Sequence, residues 1–176
     1  MSGDLTPVAV ADLRGSGALS HALLALNNAH AVELSWLDPD RLWHLVAEAF
    51  VAKRIGDADA LLLAFDQDAD YDSPNFLWFR SRYRRFVYVD RIVVASHARG
   101  RGHARRLYVD LFEQALQAGH DRVVCEVNSN PPNPASDAFH ADLGFTEVGR
   151  GSLDGGRKTV SYLARQLTQA TAPGNV

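Results

Sequence analysis

One stretch constrains this chain more than any other: an apolar strand that runs into a glycine turn and then directly into a helix. Phe86 to Ala95 is rich in Val, Ile and Tyr and reads as a strand. Five residues after Val94 comes Arg99-Gly100-Arg101-Gly102-His103-Ala104. From there Ala104, Leu107, Tyr108, Leu111, Phe112 and Ala115 recur at intervals of three and four, the period of an amphipathic helix. Glycines admit backbone conformations and close approaches that a Cβ forbids. The first turn of a helix leaves N–H groups without intrahelical acceptors. With the helix dipole, those donors cradle phosphate, and Arg99, Arg101 and Arg105 add charge-assisted contacts.

The flanking segments build an α/β domain around this unit. Val8 to Ala11 predicts a first edge strand, and Ala18 to Ala31 a helix. Asp38 is a natural N-cap, with Pro39 at the first helical position. Phe50 to Gly56 reads equally as the end of that helix or as a strand. Leu61 to Phe65 predicts a strand and Asp66 to Ser73 a polar loop. Gly119 stops the long helix, and Arg122 to Val127 is a short strand. Pro134 to Leu143 predicts a short helix. Phe145 to Gly149 and Lys158 to Leu163 read as a hairpin around Asp154-Gly155-Gly156. At 176 residues the chain predicts one domain over residues 1–168, with a flexible tail at 169–176. The order of elements implies a mixed sheet flanked by helices.

Several function classes fall away. A single cysteine, Cys125, excludes a disulfide framework and a multi-cysteine metal site. No apolar run approaches the ~18–20 residues of a membrane span, and the first dozen residues lack the pattern of a signal peptide. The expectation is a soluble, cytoplasmic protein. The net charge is −3, yet nine of the 18 basic residues lie between Arg80 and Arg106. A local basic field on a weakly acidic chain favours a small anionic ligand over a nucleic-acid duplex. A dinucleotide fingerprint counted from Gly100 fails, because Arg105 occupies its last small position. No Gly-Lys-Ser/Thr phosphate loop is present. Asp66, Asp68 and Asp70 imitate a calcium loop, but Tyr71 replaces its glycine and Leu77 its glutamate. The histidines show no ligand spacing, so no metal is expected.

Arg99-x-x-Gly102-x-Ala104 resembles the Arg/Gln-x-x-Gly-x-Gly/Ala signature of the GNAT acetyltransferase superfamily. A second stretch, from Asn133 through Phe139 to Leu143-Gly144-Phe145, resembles the family's later motif. The two motifs cover about Tyr88 to Arg150. The resemblance implies a mixed, mostly antiparallel sheet flanked by helices, with a splayed central strand pair. It implies acetyl-CoA as co-substrate. The pyrophosphate would sit on Arg99, Gly100, Arg101, Gly102, His103, Ala104 and Arg105. The pantetheine would run along Ile92, Val93 and Val94, near Asn133 and Ser136. A backbone N–H near Val93 would serve as oxyanion donor. The implied reaction is direct attack of an amine, on a small molecule or a peptide, on the thioester.

The chemistry needs a base and an acid. Where the family often places a tyrosine, four residues before the glycine of Gly144-Phe145, this chain has His140. Imidazole, near pKa ~6.5, donates more readily at neutral pH than a phenol near ~10. His140 either keeps the acid role or simply packs and bonds a carbonyl. Asp90 interrupts an apolar strand; with strict alternation it shares a face with Tyr88 and Ile92. It is either the base or an ion-pair partner of an arginine such as Arg91. Glu126 is the alternative base or a buried ion-pair member. Cys125 reads as a small core residue rather than a nucleophile. By resemblance, acceptor contacts fall on Asn27, Asn28, His30 and Glu33 at the end of the first helix. Trp78, with Tyr71, Phe76 and Phe79, gives aromatic weight to a segment that would lid the acceptor site or support a homodimer. A rival class is a catalytically weak acetyl-CoA sensor of the same fold. Another uses Arg80 to Arg85 with Trp78 and Tyr83 to stack single-stranded nucleic acid, but the intact glycine motif argues against it.

Overall fold

Branched and aromatic runs form the strands, and periodic segments between them form helices that cover both faces of one sheet. The structure is a computed structural model and describes residues 3–15 and 17–168. The strands are β1 (Leu5–Pro7), β2 (Val51–Ile55), β3 (Ala60–Asp66), β4 (Val87–Val94), β5 (Arg122–Asn130), β6 (Thr146–Leu153) and β7 (Lys158–Gln166). The helices are α1 (Val10–Gly15), α2 (Gly17–Asn28), α3 (Ala31–Leu34), α4 (Pro39–Glu48), α5 (Pro74–Arg80), α6 (His103–Gln117) and α7 (Pro134–Asp142). The sheet order is β1-β2-β3-β4-β5-β7-β6. Every neighbouring pair is antiparallel except β4 and β5. The mostly antiparallel, mixed architecture is the one the sequence implies. The tail at 169–176 lies outside the described residues, and no helix among those described is long and apolar enough to cross a membrane.

Local chemistry sets the element ends. The Asp38 carboxylate accepts the Arg41 N–H at 2.7 Å, with Pro39 opening α4. The Asn133 side chain accepts the Ser136 N–H at 3.2 Å, with Pro134 opening α7. Gly119 takes φ +80° just past α6, a conformation that costs a glycine little. The hairpin turn places Asp154, Gly155 and Gly156 all at positive φ. The ambiguous stretch at Phe50 resolves to β2, because α4 ends at Glu48 and Val51 pairs with Ala64 of β3.

Two expectations need correction. Val8 to Ala11 is not the edge strand. Pairing ends at Pro7, Val8 donates once more to the Ala52 carbonyl, and the Asp12 carboxylate then caps the Ala9 N–H to start α1. The carboxylate offers a local partner that the sheet edge cannot match. The second concerns β4, where alternation does not run through Asp90. Arg91 pairs with Leu63 and Val89 with Ala64, so Asp90 is an extra residue in a β-bulge. As a result, Tyr88 lies in the core under α1, α2, α4 and α5, while Ile92 packs on the opposite face beneath α6.

Helix α5, which no sequence pattern singled out, fills the connection between β3 and β4. Phe76 and Phe79 are fully buried, each contributing about 1.5–3 kcal/mol of apolar burial. Tyr71 is buried with them, so most of the aromatic segment is core rather than lid.

Candidate active site

The parallel pair at the middle of the sheet is zipped only at its start. Val87 pairs with Val123 and Tyr88 with Val124, and no further rung joins β4 to β5 among the described residues. Beyond that point the strands part, and a cavity of about 120 Å³ opens between them. Its walls include Val89, Asp90, Ile92, Tyr108, Cys125, Glu126, His140 and Lys158. It adjoins a cleft of about 470 Å³ lined by Ile92, Val93, Val94, Arg99, Ala104, Asn133, Ser136 and Phe139. His30 and Glu33 border this cleft too, and Glu33 reaches both spaces. Two larger hollows, of about 670 and 710 Å³, include neither Gly100 nor Gly102, and neither Glu126 nor His140.

At one end of the cleft stands the glycine turn. Gly100 and Gly102 sit at φ +74° and +75°, and a Cβ at either would meet nothing within 4 Å. Glycine is required here by backbone conformation, and the space beside it is open. Gly102 caps α6, and the Arg106 N–H closes the first turn on the Gly102 carbonyl. The N–H groups of His103, Ala104 and Arg105 precede that turn and lack intrahelical acceptors. Arg99 and Arg101 are exposed beside them. Arg105 is drawn into an ion pair with Asp142, and His103 is buried with Nδ1 unpartnered. A diphosphate with an apolar arm fits this cleft: charge and free donors at one end, Ile92 to Val94 and Phe139 along it.

Where the strands part, three groups carry chemistry. Glu126 places its carboxylate inside the protein. Oε1 accepts from Asn75 Nδ2 at 2.9 Å and from the Tyr88 hydroxyl at 3.1 Å, while Oε2 is buried with no partner. Burial, helped by the Asp90 charge and opposed by the two hydrogen bonds, pushes its pKa up to about 7. Asp90 is committed elsewhere. Its Oδ1 accepts from the Tyr71 hydroxyl at 2.5 Å, and its Oδ2 pairs with Arg91 Nε at 2.6 Å. Arg91 in turn donates to Asn27 Oδ1 at 2.7 Å. The bulge aims Asp90 and Arg91 at one face and makes this buried ion pair possible.

His140 is buried at the cleft wall. Its Nδ1 lies 2.8 Å from the Ser136 carbonyl, which can only accept, so Nδ1 carries the proton. The lone pair on Nε2 then accepts from the Tyr108 hydroxyl at 2.8 Å. Burial lowers the pKa of the imidazole, and burial raises that of the Tyr108 phenol. The two form a neutral donor–acceptor pair facing the cavity. Burial also pushes the Cys125 thiol up, so it is no nucleophile at neutral pH.

The remaining acceptor candidates divide. Asn27 is fully buried and also donates to the Ser35 carbonyl, while Asn28 exchanges two bonds with the Leu37 backbone. Both hold the segment between α2 and α4, and neither lines the cavity. Trp78 stacks on Tyr162 with ring centroids 4.0 Å apart, away from the cavity. The rings offered for nucleic-acid stacking are already covered by the chain's own guanidinium groups, Arg82 over Trp78 at 3.8 Å and Arg122 over Tyr83 at 4.2 Å. Asn75, Tyr88, Tyr108 and Lys158 were not singled out as site residues. Tyr108 read as one more core position of α6, and only Ser73-Pro74 hinted at a helix start beside Asn75.

A mixed sheet with a splayed parallel pair, a glycine turn at the N-terminus of the following helix and a short helix beyond the next strand define an acyl-CoA transferase class of fold. The profile of the acetyltransferase (GNAT) family matches residues 50–145, and the chain belongs to that family. A comparison with curated protein sequences finds no match. Among solved structures, the chain is similar to the ribosomal-protein-S18-alanine N-acetyltransferase of Escherichia coli, at 14% identity and TM-score 0.65, with 99% of each chain covered. It is similar to yncA of Salmonella typhimurium, solved with its cofactor acetyl-CoA, at 19% identity and TM-score 0.64 over 100% of both chains. It is also similar to an aminoglycoside 6'-N-acetyltransferase complexed with coenzyme A, at 13% identity and TM-score 0.68 over 96% of this chain and 99% of the other. At these identities the likeness establishes the shared fold.

Proposed function

We propose that the protein transfers an acetyl group from acetyl-CoA to an amine, with Glu126 as general base. The observation that carries this reading is the buried Glu126 carboxylate, poised near neutrality with Oε2 free, at the point where β4 and β5 part. A base poised near the operating pH is the most effective one. Two of the solved relatives hold coenzyme A or acetyl-CoA, and the cleft has the shape and charge for that ligand. Acetyl-CoA supplies the acetyl group already activated as a thioester.

The residues of this chain do the rest. Arg99, Arg101 and the free N–H groups of the glycine turn hold the diphosphate. The backbone of Ile92 to Val94, unpaired on its β5 side, lies along the arm, and an N–H near Val93 faces the developing oxyanion. Glu126 takes the proton from the incoming ammonium through Oε2. The Tyr108–His140 pair holds a proton for the departing sulfur, which with a thiol pKa near ~8.5 needs only modest help. Asp90 keeps Arg91 in place and raises the basicity of Glu126 by its charge. His30 and Glu33 border the entrance taken by the acceptor, an amine on a small molecule or a peptide in the cytoplasm.

Thermal unfolding against increasing acetyl-CoA, with ATP and NAD as controls, tests the cofactor. At about a hundred times its dissociation constant the ligand stabilises by ~2.7 kcal/mol. No shift at saturation removes the proposal. A shift with acetyl-CoA alone licenses an amine screen by thiol release, in which Glu126→Gln is expected to lose turnover.

A further inference from the structure

We propose that Asn75, carried by the inserted helix α5, is a positioning residue that turns the Glu126 carboxylate so that only Oε2 is left for the acceptor amine. The proposal rests on Glu126 acting as the base. Its basis is a chain of contacts that begins on the far edge of the sheet. Gly149 of β6 has no side chain beneath Trp78; a Cβ there would stand 2.5 Å from the indole. That space lets Trp78 stack on Tyr162 of β7, with ring centroids 4.0 Å apart. The Tyr162 hydroxyl then donates to Asn75 Oδ1 at 3.1 Å. With its oxygen so engaged, the amide must present Nδ2 to Glu126, and it does so at 2.9 Å from Oε1. Against the ionised carboxylate, the form that acts as base, the reverse amide orientation would set two acceptors together with no proton between them.

Tyr88 donates to the same oxygen, so both donors converge on Oε1 and neither touches Oε2. A carboxylate satisfied on one oxygen keeps a fixed plane and offers its other oxygen in one direction. The same bond tempers its basicity. Burial and the Asp90 charge favour the neutral acid, and a donor on Oε1 favours the anion. The other titratable and charged groups around Glu126 are Glu33 on α3, Tyr88, Asp90 and Arg91 on β4, Tyr108 on α6, Cys125 on β5, His140 on α7, and Lys158 and Tyr162 on β7. The tyrosines and the thiol stay protonated through neutral pH, because burial raises all four.

The test follows the side-chain carboxyl carbon of Glu126 by NMR in the full chain labelled with 13C-glutamate, assigned by its absence in Glu126→Gln. The wild type titrates near neutral pH. Asn75→Ala removes a donor from the anion, so the midpoint rises by about one pH unit. Tyr162→Phe keeps the ring in its stack and removes only the hydroxyl that orients the amide, so the fold survives and the midpoint rises by a smaller step. With an amine found by thiol release, the acidic limb of kcat/KM moves by the same amounts, while KM for acetyl-CoA stays put. Lower melting temperatures with unmoved midpoints in both variants make Asn75 a packing residue and overturn the proposal. Shifted midpoints alongside full turnover by Glu126→Gln overturn the base assignment instead, and Asn75's part in the reaction with it.

Discussion

Glu126→Gln separates the electrostatic cost of the buried carboxylate from everything else the side chain does. An ordinary glutamate titrates near 4.5, and Glu126 at about 7. At ~1.4 kcal/mol per pH unit, that gap is about 3 kcal/mol against the ionised form in the folded chain. The folded protein keeps a proton that the unfolded chain releases between these two values. The stability contributed by the neutral acid is therefore complete below about 4.5 and lost as pH rises through about 7. Between pH 5 and 8 the loss amounts to about 2.5 kcal/mol. Glutamine cannot titrate, so the variant escapes this loss. It also buries an amide N–H where Oε2 was unpartnered, at a cost of about 1–3 kcal/mol, but that cost is the same at every pH. The quantity to measure is the difference in unfolding free energy between variant and wild type, from urea midpoints at pH 5, 6, 7 and 8. It should climb in favour of the variant by about 2–3 kcal/mol across the range. A difference that stays flat with pH would refute the account of Glu126, whatever its absolute size.

The glycine turn gives a paired prediction. Gly102→Ala and Gly155→Ala both force an alanine into left-handed backbone, at φ +75° and +67°, and each should cost about 1–2 kcal/mol. Only Gly102→Ala should also reduce the stabilisation by acetyl-CoA; equal effects in a thermal-shift titration would remove the cradle assignment. His140→Ala leaves the buried Tyr108 hydroxyl without its acceptor and should lower stability by about 1–3 kcal/mol. Turnover should fall in it and in Tyr108→Phe with acetyl-CoA affinity kept, and unchanged thiol release in both would strip the pair of its role. Gly149→Ala drives a methyl into Trp78 and should destabilise by about 1–3 kcal/mol, read as a lower urea midpoint; a neutral result would mean that the Trp78–Tyr162 stack is not held where it is placed.

How much of this was legible in the sequence depended on how local the cause was. The cap at Asp38, the glycines at 100, 102 and 119, and the period of α6 are written in neighbouring residues, and they appear where expected. Val8 to Ala11 went astray because a carboxylate three residues on outcompeted the sheet edge. The bulge at Asp90 depends on the register of β3, which no residue of β4 announces. Asn27 and Asn28 look like an exposed polar helix end, yet Asn27 is held inside by Arg91 across a sequence gap of 64 residues. Asn75 meets Glu126 across 51 residues and Tyr162 across 87. Such meetings are fixed by topology, so a reading of spacing and composition passes over them. Tyr108 is the core residue its helical period predicts, but its bond to His140, 32 residues away, is not visible in that period.

The two-rung seam between β4 and β5 has a consequence for how the molecule breathes. Four strands lie on one side of it and three on the other, and backbone bonds join the groups only at Val87–Val123 and Tyr88–Val124. Each group is fully laddered within itself, so the seam is the cheapest line along which the sheet can yield. Two cooperative units meeting at such a line should open separately. Amides of β4 from Val89 onward and of β5 from Cys125 onward should exchange with deuterium faster on the sides facing the wedge than their buried neighbours in β3 and β7. A ligand lying in that wedge and bonded to both edges would act as a rivet, turning two semi-independent plates into one.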